Sequence, residues 1–217
     1  MKPKLLIVGC GSQARYVIDS ISVENNFSII GAVDLESGSM IGDKINGIKV
    51  LCRLEDIQDT YDPSEISIIL AHGDVSKKYI AFEYLKQKNF KFVNVISSRS
   101  SISKTARIGF GCIINPGVVI MSNAIIGNHV IIHSQTVIEH DNIIGDFSNI
   151  APGVSFGGNV SIGEKSYIYT GASVIPNIKI GNNSIIGAGA VVIRDVMDNQ
   201  TVVGVPAKPI YGTKGFV

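Results

Sequence analysis

From residue 100 to residue 195 the chain divides without gaps into sixteen hexads whose third position is always apolar. Thirteen of these sixteen residues are isoleucine, and the others are Phe156, Val174 and Val192. A helix would need an apolar period of 3.6 residues, and an ordinary strand meander would not hold one phase over so many units. One large inward side chain every six residues predicts short strands joined by turns.

A second period, of 18 residues, overlies the hexads, because glycine follows the apolar residue at Gly109, Gly127, Gly145, Gly163 and Gly181. Three strands in every 18 residues predict a three-sided parallel β-helix of roughly five coils, with the aligned isoleucines filling its axis. We expect the recurring glycine to serve a turn that needs an unusual backbone conformation.

The first 95 or so residues follow a different pattern. Apolar runs predict strands at 4–8, 28–33, 66–71 and 90–96, and helical periodicity predicts helices at 14–23 and 76–88. Alternating strands and helices predict a small parallel α/β domain. We therefore expect an α/β domain at 1–97, a β-helix domain at 98–195 and a C-terminal tail at 196–217.

Composition narrows the choice of partners and compartment. The net charge is +1, from 19 basic and 18 acidic residues, which predicts no general attraction for nucleic acid or anionic lipid. Three scattered cysteines predict neither a disulfide framework nor a zinc site, and favour a reducing cytoplasm. The apolar run at 5–8 is too short for a signal peptide, and no segment is long enough for membrane insertion.

A glycine-rich loop at 9–14 joins the first predicted strand to the first helix. Its sequence GCGSQA matches G-x-G-x-x-[GA], in which glycines let the backbone approach a ligand and the helix N-terminus favours an anion. Asp34 ends the next strand, about where a dinucleotide fold uses an acid to hold a ribose. We expect a bound ligand rather than a plain tight turn, with NAD and a nucleotide-sugar both open.

His140 lies near a predicted coil turn and is followed by Asp141. A surface histidine is the simpler interpretation, but a histidine beside a carboxylate is also what a general base needs. His129 and His133 raise the possibility of a three-histidine metal site. Because these histidines fall in consecutive hexads, they lie on successive faces, so we expect no metal site and place His129 and His133 on the solvent side.

With these parts in place, the whole chain resembles the bacterial sugar acetyltransferase family of hexapeptide-repeat transferases. It is most similar to the UDP-4-amino-sugar N-acetyltransferases of bacillosamine synthesis, and it is related to the sialic acid O-acetyltransferases. The resemblance rests on the GCGSQA loop, Asp34, the unbroken hexads, and the segments 72–79, 137–147 and 202–209. It implies a left-handed β-helix and a homotrimer with active sites between neighbouring β-helices.

The resemblance also implies roles for individual residues. The catalytic base falls on His140 and its supporting carboxylate on Asp141. The nucleotide-sugar substrate would contact Gly11, Ser12, Gln13, Asp34 and Gly73, and acetyl-CoA would contact Asn149, Thr170 and Ala188. The chain departs from its relatives in three places: Gln13 stands where close relatives often have histidine, Leu35 stands where a second acid can occur, and Asn149 replaces a histidine.

The resulting hypothesis is an acetyl-CoA-dependent N-acetyltransferase of bacterial glycan biosynthesis. It would act on the C4 amine of a UDP-linked 4-amino-4,6-dideoxy sugar, with GDP and dTDP as other possible nucleotides. An O-acetyltransferase acting on a sialic acid or similar sugar would use the same fold and base. A non-catalytic module that binds a nucleotide-sugar or NAD is the alternative from another class.

Overall fold

The structure is a computed structural model, and it describes residues 2–36 and 38–210. The chain divides into two compact units, Met1–Val95 and Ile96–Val217. The predicted functional residues are divided between them, so each unit is described by itself.

The first unit is a parallel α/β sheet with one antiparallel edge strand. Its strand order is β3-β4-β2-β1-β5-β6, and only β3 and β4 run antiparallel. Its elements are β1 (Lys4–Val8), α1 (Ser12–Glu24), β2 (Ser28–Asp34), β3 (Lys44–Ile45), β4 (Ile48–Arg53), α2 (Ile57–Thr60), β5 (Ile66–Leu70), α3 (Val75–Gln87) and β6 (Lys91–Phe92).

Burial explains why this sheet forms. The central strand β1 is apolar along its whole buried length, as a strand covered on both faces must be, and Leu5 to Val8 are fully buried. The predicted α/β alternation is confirmed, but two details differ. The predicted strand 90–96 is two short strands, β6 and β7 (Val95–Ile96). The β3–β4 hairpin was not predicted, although its turn is an Asn46-Gly47 pair with positive φ at both residues.

The second unit is a three-sided parallel β-helix built from two-residue strands. Face 1 contains β7, β10 (Ile113–Ile114), β13 (Ile131–Ile132), β16 (Asn149–Ile150), β19 (Tyr167–Ile168), β22 (Ile185–Ile186), β24 (Thr201–Val203) and β25 (Lys208–Ile210). Face 2 contains β8 (Ser101–Ile102), β11 (Val119–Ile120), β14 (Val137–Ile138), β17 (Ser155–Phe156), β20 (Ser173–Val174) and β23 (Val191–Val192). Face 3 contains β9 (Arg107–Ile108), β12 (Ile125–Ile126), β15 (Ile143–Ile144), β18 (Ser161–Ile162) and β21 (Lys179–Ile180).

The register between coils is 18 residues throughout the hexads. On face 1, for example, Ile114 pairs with Ile132 and Ile132 with Ile150, and all three side chains are fully buried. The third hexad position therefore points inward, as predicted, and its side chains form one continuous core. Faces 1, 2 and 3 contain eight, six and five strands, so the β-helix is longer than the roughly five coils predicted. The left hand of the β-helix stays a prediction.

The recurring glycine has a different cause from the one predicted. Positive φ occurs at the sixth hexad position, every sixth residue from 111 to 189, and most of these residues are not glycine. The glycines of the 18-residue period are absent from that set. A Cβ on Gly145 would lie 2.6 Å from the backbone nitrogen of Glu164 in the next coil. Close approach of successive coils, rather than a strained turn, therefore excludes a side chain there.

The segment predicted as a tail begins inside the β-helix. β24 pairs in parallel with β22, and β25 returns antiparallel beside β24. An isolated bridge also joins Ile180 to Val196. Residues 196–210 thus extend the β-helix beyond the predicted boundary at 195, because their backbone groups pair with the last coil. Residues 211–217 lie outside the described residues.

Candidate active site

His140 stands at the corner between β14 and β15. Its side chain is 60 % exposed, as expected for the fifth position of a hexad. The next residue, Asp141, adopts φ 59°, the left-handed conformation that recurs at this corner. Aspartate and asparagine tolerate that conformation better than most residues do. The local fold therefore turns the chain at Asp141 and holds its carboxylate beside the imidazole.

The two side chains form a hydrogen bond of 2.8 Å between His140 Nδ1 and Asp141 Oδ2. Because a carboxylate only accepts, Nδ1 carries the hydrogen, and in the neutral ring Nε2 is left as the acceptor. The hydrogen bond from His140, followed by one from Asn123, holds the pKa of Asp141 below its usual value. The pair is thus an imidazole whose Nε2 is left as an acceptor, beside a carboxylate whose ionised form is favoured.

Two further residues, which the sequence analysis missed, surround this pair. Asn123 Nδ2 donates to Asp141 Oδ1 over 3.1 Å, from one coil earlier. On the following coil, a Cβ placed on Gly158 would lie 2.5 Å from both Cε1 and Nε2 of His140. Both could have been found from the register, since Asn123 lies 18 residues before Asp141 and Gly158 lies 18 residues after His140.

The glycine-rich loop connects β1 to α1 at the carboxyl end of the sheet. Gly9 has φ 124°, and a Cβ there would lie 2.4 Å from the Ala71 carbonyl oxygen, so only glycine fits. Gly11 and Ser12 are exposed at the helix N-terminus. Gln13 is 5 % exposed, and within the described chain its Nε2 has no hydrogen-bond partner. The loop therefore presents backbone groups to solvent and one buried amide for which no described residue supplies an acceptor.

A pocket of about 300 Å³ lies beside this loop and brings together two of the predicted substrate-binding residues, Gly11 and Asp34. Gly73 is exposed and follows His72, which lines the pocket, whereas Ser12 and Gln13 are outside the pocket lining. The remaining lining residues are Cys10, Leu35, Glu36, Ser39 and Met40.

Asp34 also has a structural role that the sequence analysis did not assign. Its side chain is almost fully buried, and Oδ1 accepts the backbone N–H of Glu36 over 2.8 Å. Oδ2 accepts the backbone N–H of Met40 over 3.3 Å. The carboxylate therefore holds the loop after β2 in place through these hydrogen bonds, and it also lines the pocket.

Three titratable residues that line the same pocket, Cys10, Glu36 and His72, were not predicted as site residues. Glu36 Oε1 lies 2.6 Å from Lys77 Nζ and 3.7 Å from His72 Nε2. The bond from Lys77 lowers the pKa of Glu36, which therefore remains ionised. Burial, with the charge of Asp34 adding to it, raises the pKa of the nearby Cys10 thiol to about 12. The pocket thus holds the ionised carboxylate of Glu36 and an un-ionised thiol.

Two of the three residues assigned to acetyl-CoA, Thr170 and Ala188, fall on another edge of the β-helix. Thr170 and Ala188 are exposed on successive coils, and Gly189 N–H donates to the Thr170 carbonyl over 2.9 Å. Ala188 also lines an apolar pocket of about 210 Å³. Their corner follows face 1, whereas the corner of His140 follows face 2. Asn149, in contrast, is 1 % exposed, and its Oδ1 has no hydrogen-bond partner among the described residues.

The prediction that His129 lies on the solvent side is wrong. His129 is fully buried, stacks on Phe147 with ring centroids 4.8 Å apart, and meets Phe110 edge-on at 5.2 Å. The ring is flat and apolar-faced enough to pack between aromatic residues of neighbouring coils. His133 is half-buried, with Nδ1 3.4 Å from Asn115 Nδ2. In the part of the chain that the structure describes, no three potential ligands cluster as a metal site would require.

Both units contain segments that match known protein families. Residues 4–85 match the family described as the PglD N-terminal domain. Residues 105–140 and 159–194 match the bacterial transferase hexapeptide (six repeats). A search of curated protein sequences gave no match. Among the described residues, no helix has both the length and the apolar character needed to cross a membrane.

Several solved structures resemble the whole chain. A mutant of GDP-perosamine N-acetyl transferase from Caulobacter crescentus, in complex with CoA and GDP-perosamine, is 28 % identical with a TM-score of 0.90, covering 96 % of this chain and 97 % of that one. The acetyltransferase domain of PglB from Neisseria gonorrhoeae, in complex with acetyl coenzyme A, is 27 % identical with a TM-score of 0.89, covering 97 % and 100 %. WeeI from Acinetobacter baumannii is 25 % identical with a TM-score of 0.85, covering 95 % and 99 %.

Proposed function

We propose that the chain transfers the acetyl group of acetyl-CoA to the C4 amine of a nucleotide-linked 4-amino-4,6-dideoxy sugar. Its matches to the bacterial transferase hexapeptide and to the PglD N-terminal domain support this proposal. The observation that carries this proposal is the His140–Asp141 pair, with its 2.8 Å hydrogen bond on an exposed corner. Two of the similar structures support the choice of substrates, because one contains CoA with GDP-perosamine and another contains acetyl coenzyme A.

In the proposed reaction, His140 Nε2 accepts a proton from the sugar amine as the nitrogen attacks the thioester carbonyl carbon. The new bond joins nitrogen to the acetyl carbon, and the carbon–sulfur bond of the thioester breaks. His140 then returns the proton to the departing sulfur. Asp141 orients the imidazole through Nδ1 and stabilises its charged form while it holds the proton.

The pocket beside the glycine-rich loop is the proposed nucleotide site. Its Gly11 and Asp34 lining, the exposed Ser12 and Gly73, and the buried amide of Gln13 support this assignment. The sequence resemblance favours UDP, whereas one similar structure contains a GDP-sugar. We therefore propose a nucleoside diphosphate sugar, with UDP as the first candidate, in bacterial glycan synthesis. The use of acetyl-CoA and the free cysteines favours the cytoplasm.

The positions of the site residues support a homotrimer. Thr170 and Ala188 lie on the corner after face 1, and His140 lies on the corner after face 2. One chain alone therefore presents the proposed acetyl-CoA residues and the proposed base on different edges. When β-helices pack side by side around a threefold axis, an edge of one chain can complete the site on an edge of the next.

The first experiment measures release of free CoA thiol from acetyl-CoA with a panel of UDP-, GDP- and dTDP-linked amino sugars. We expect His140→Ala to lower turnover at saturating substrates by about 10²–10⁴-fold, the usual contribution of a general base. Near-wild-type turnover of this variant would contradict the assignment. Faster transfer to hydroxyl sugars than to amino sugars would indicate an O-acetyltransferase, and no thiol release with any acceptor would indicate a binding module.

The second experiment tests the shared site by mixing two inactive variants. His140→Ala removes the base, and Ala188→Trp fills the proposed acetyl-CoA surface. If neighbouring chains share each site, mixed trimers contain some sites with neither change, and activity reappears on mixing. Inactive mixtures whose trimers are shown to exchange chains would place both residues in one chain's site. Light scattering on the wild-type protein checks that its mass is that of three chains.

A further inference from the structure

We propose that Asn123 is a positioning residue for acetyl transfer, which acts by holding the Asp141 carboxylate in the orientation that serves His140. This inference rests on the proposed function. It starts from the two hydrogen bonds of the carboxylate: Oδ2 accepts from His140 Nδ1 over 2.8 Å, and Oδ1 accepts from Asn123 Nδ2 over 3.1 Å. Each oxygen therefore has a donor of its own.

The carboxylate needs such a second anchor because the pair is exposed. The side chain of His140 is 60 % exposed and that of Asp141 is 51 % exposed. Ion pairs at such sites are weak, and neither side chain is confined by packing on its solvent side. A bond to Oδ1 restricts rotation of the carboxylate and thus keeps Oδ2 directed at Nδ1. Asn123 therefore affects only the orientation of the Asp141 carboxylate, since an asparagine side chain neither takes up nor releases a proton.

Asn123 is itself firmly held. Like Asp141, it is at the sixth hexad position and adopts a left-handed conformation, with φ 61°. Its backbone N–H donates to the Thr105 hydroxyl over 3.0 Å, on the preceding coil. Because Asn123 and Asp141 share one conformation at equivalent positions of adjacent coils, their side chains project in the same direction from the same edge. The amide is therefore placed above the carboxylate by the β-helix repeat.

The same edge offers a matched comparison without a histidine. Two coils further on, Asn159 Nδ2 donates to Asn177 Oδ1 over 2.8 Å, between residues with φ of 60° and 64°. That bond joins two neutral amides and touches no titratable side chain. It shows that bonding between coils at this position can serve stability alone. The experiment must therefore separate an effect on the coil stack from an effect on His140.

Asn123→Gly is the best substitution, because it removes the amide while glycine accepts the left-handed backbone without strain. We expect kcat to fall about tenfold, the effect of losing one hydrogen bond to a charged group, with KM for both substrates unchanged. Asn177→Gly is the control, with the same change on the same edge. We expect it to keep wild-type kcat, and thermal unfolding should show similar small shifts for both variants.

A double-variant cycle tests whether Asn123 acts through Asp141. In an Asp141→Asn protein the carboxylate is already absent, so adding Asn123→Gly should lower kcat no further. An equal loss in both backgrounds, a loss caused by Asn177→Gly, or wild-type kcat in Asn123→Gly would each overturn the proposal. Failure of the proposed function is distinct from these results, since the wild-type protein itself would then release no thiol.

Discussion

Replacing Gly158 with alanine should displace the His140 imidazole without changing any group that takes part in proton transfer. Gly158 belongs to the coil after His140, and the added methyl would point at the ring. It would lie 2.5 Å from Cε1 and Nε2 and 3.2 Å from Cδ2. Gly158 does not have a positive φ, so alanine adds no backbone strain. The three nearest atoms all belong to the His140 ring, so the main effect of the substitution is on the ring position.

The size of the displacement follows from these distances. Ordinary carbon contacts begin near 3.4 Å, so the ring must move by about 1 Å. Because His140 is exposed, it can move outward into solvent at little energetic cost. Misplacing a reacting group by about 1 Å can lower the rate by about 10²-fold. We therefore expect a fall in kcat of about 10–100-fold, with unfolding changed by less than about 1 kcal/mol.

The assay is thiol release from acetyl-CoA at saturating acceptor, together with thermal unfolding of the same preparations. The control places Gly158→Ala in a His140→Ala protein, where there is no imidazole to displace and no further loss is expected. The reasoning is refuted if Gly158→Ala retains wild-type kcat. It is equally refuted if the loss is as large without His140, because the glycine would then be needed for another reason.

Three further predictions concern stability and thiol chemistry. Gly145→Ala forces a Cβ to 2.6 Å from the Glu164 backbone, and it should lower the melting temperature far more than Gly171→Ala. The control position Gly171 has open space around it, so alanine there adds only the left-handed backbone strain of about 1–2 kcal/mol. Equal melting temperatures for the two variants would contradict the close-approach argument. His129→Ala should destabilise the β-helix by about 2–5 kcal/mol, as for other large core side chains, and an unchanged denaturant midpoint would count against its packing role. Cys10, with its pKa raised to about 12, should resist iodoacetamide at pH 8 while a free thiol reacts; rapid carbamidomethylation at Cys10, located by peptide mass spectrometry, would disprove it.

The β-helix was predictable because its signal repeats. Each hexad needs an inward apolar side chain at its third position, so a single pattern is tested sixteen times along the chain. The cause of the recurring glycine was not predictable in that way. A sequence shows where a residue has no Cβ, but it does not show why. At Gly145 a Cβ would collide with the next coil, whereas at Gly153 the backbone has a positive φ, which favours glycine. Only the three-dimensional structure shows which reason applies to a given glycine.

The pocket beside the glycine-rich loop was much less predictable than the β-helix, because no repeat relates its residues. Its motif predicted Gly11 and Asp34, which the structure places together. Glu36, His72 and Lys77 come from the loop after β2, the loop after β5 and the first turn of α3. No periodicity relates these segments, so their meeting depends on strand order and loop folding. Asp34 likewise looked like a ligand contact alone, since its bonds to two backbone N–H groups depend on how the following loop turns.

The surroundings of His140 are intermediate in how well the sequence predicts them, because the β-helix repeat relates their residues. In a β-helix, a residue's neighbours on the adjacent coils lie 18 positions away, so a sequence whose hexad phase is known also gives its contacts across the coil stack. Applied to the His140–Asp141 pair, this rule selects Ser122 and Asn123 on one side and Gly158 and Asn159 on the other. In the structure, the amide of Asn123 bonds to the carboxylate, and the imidazole occupies the space that a Cβ on Gly158 would fill. The same rule should identify the residues that orient a corner histidine in any β-helix with an unbroken 18-residue register, without coordinates.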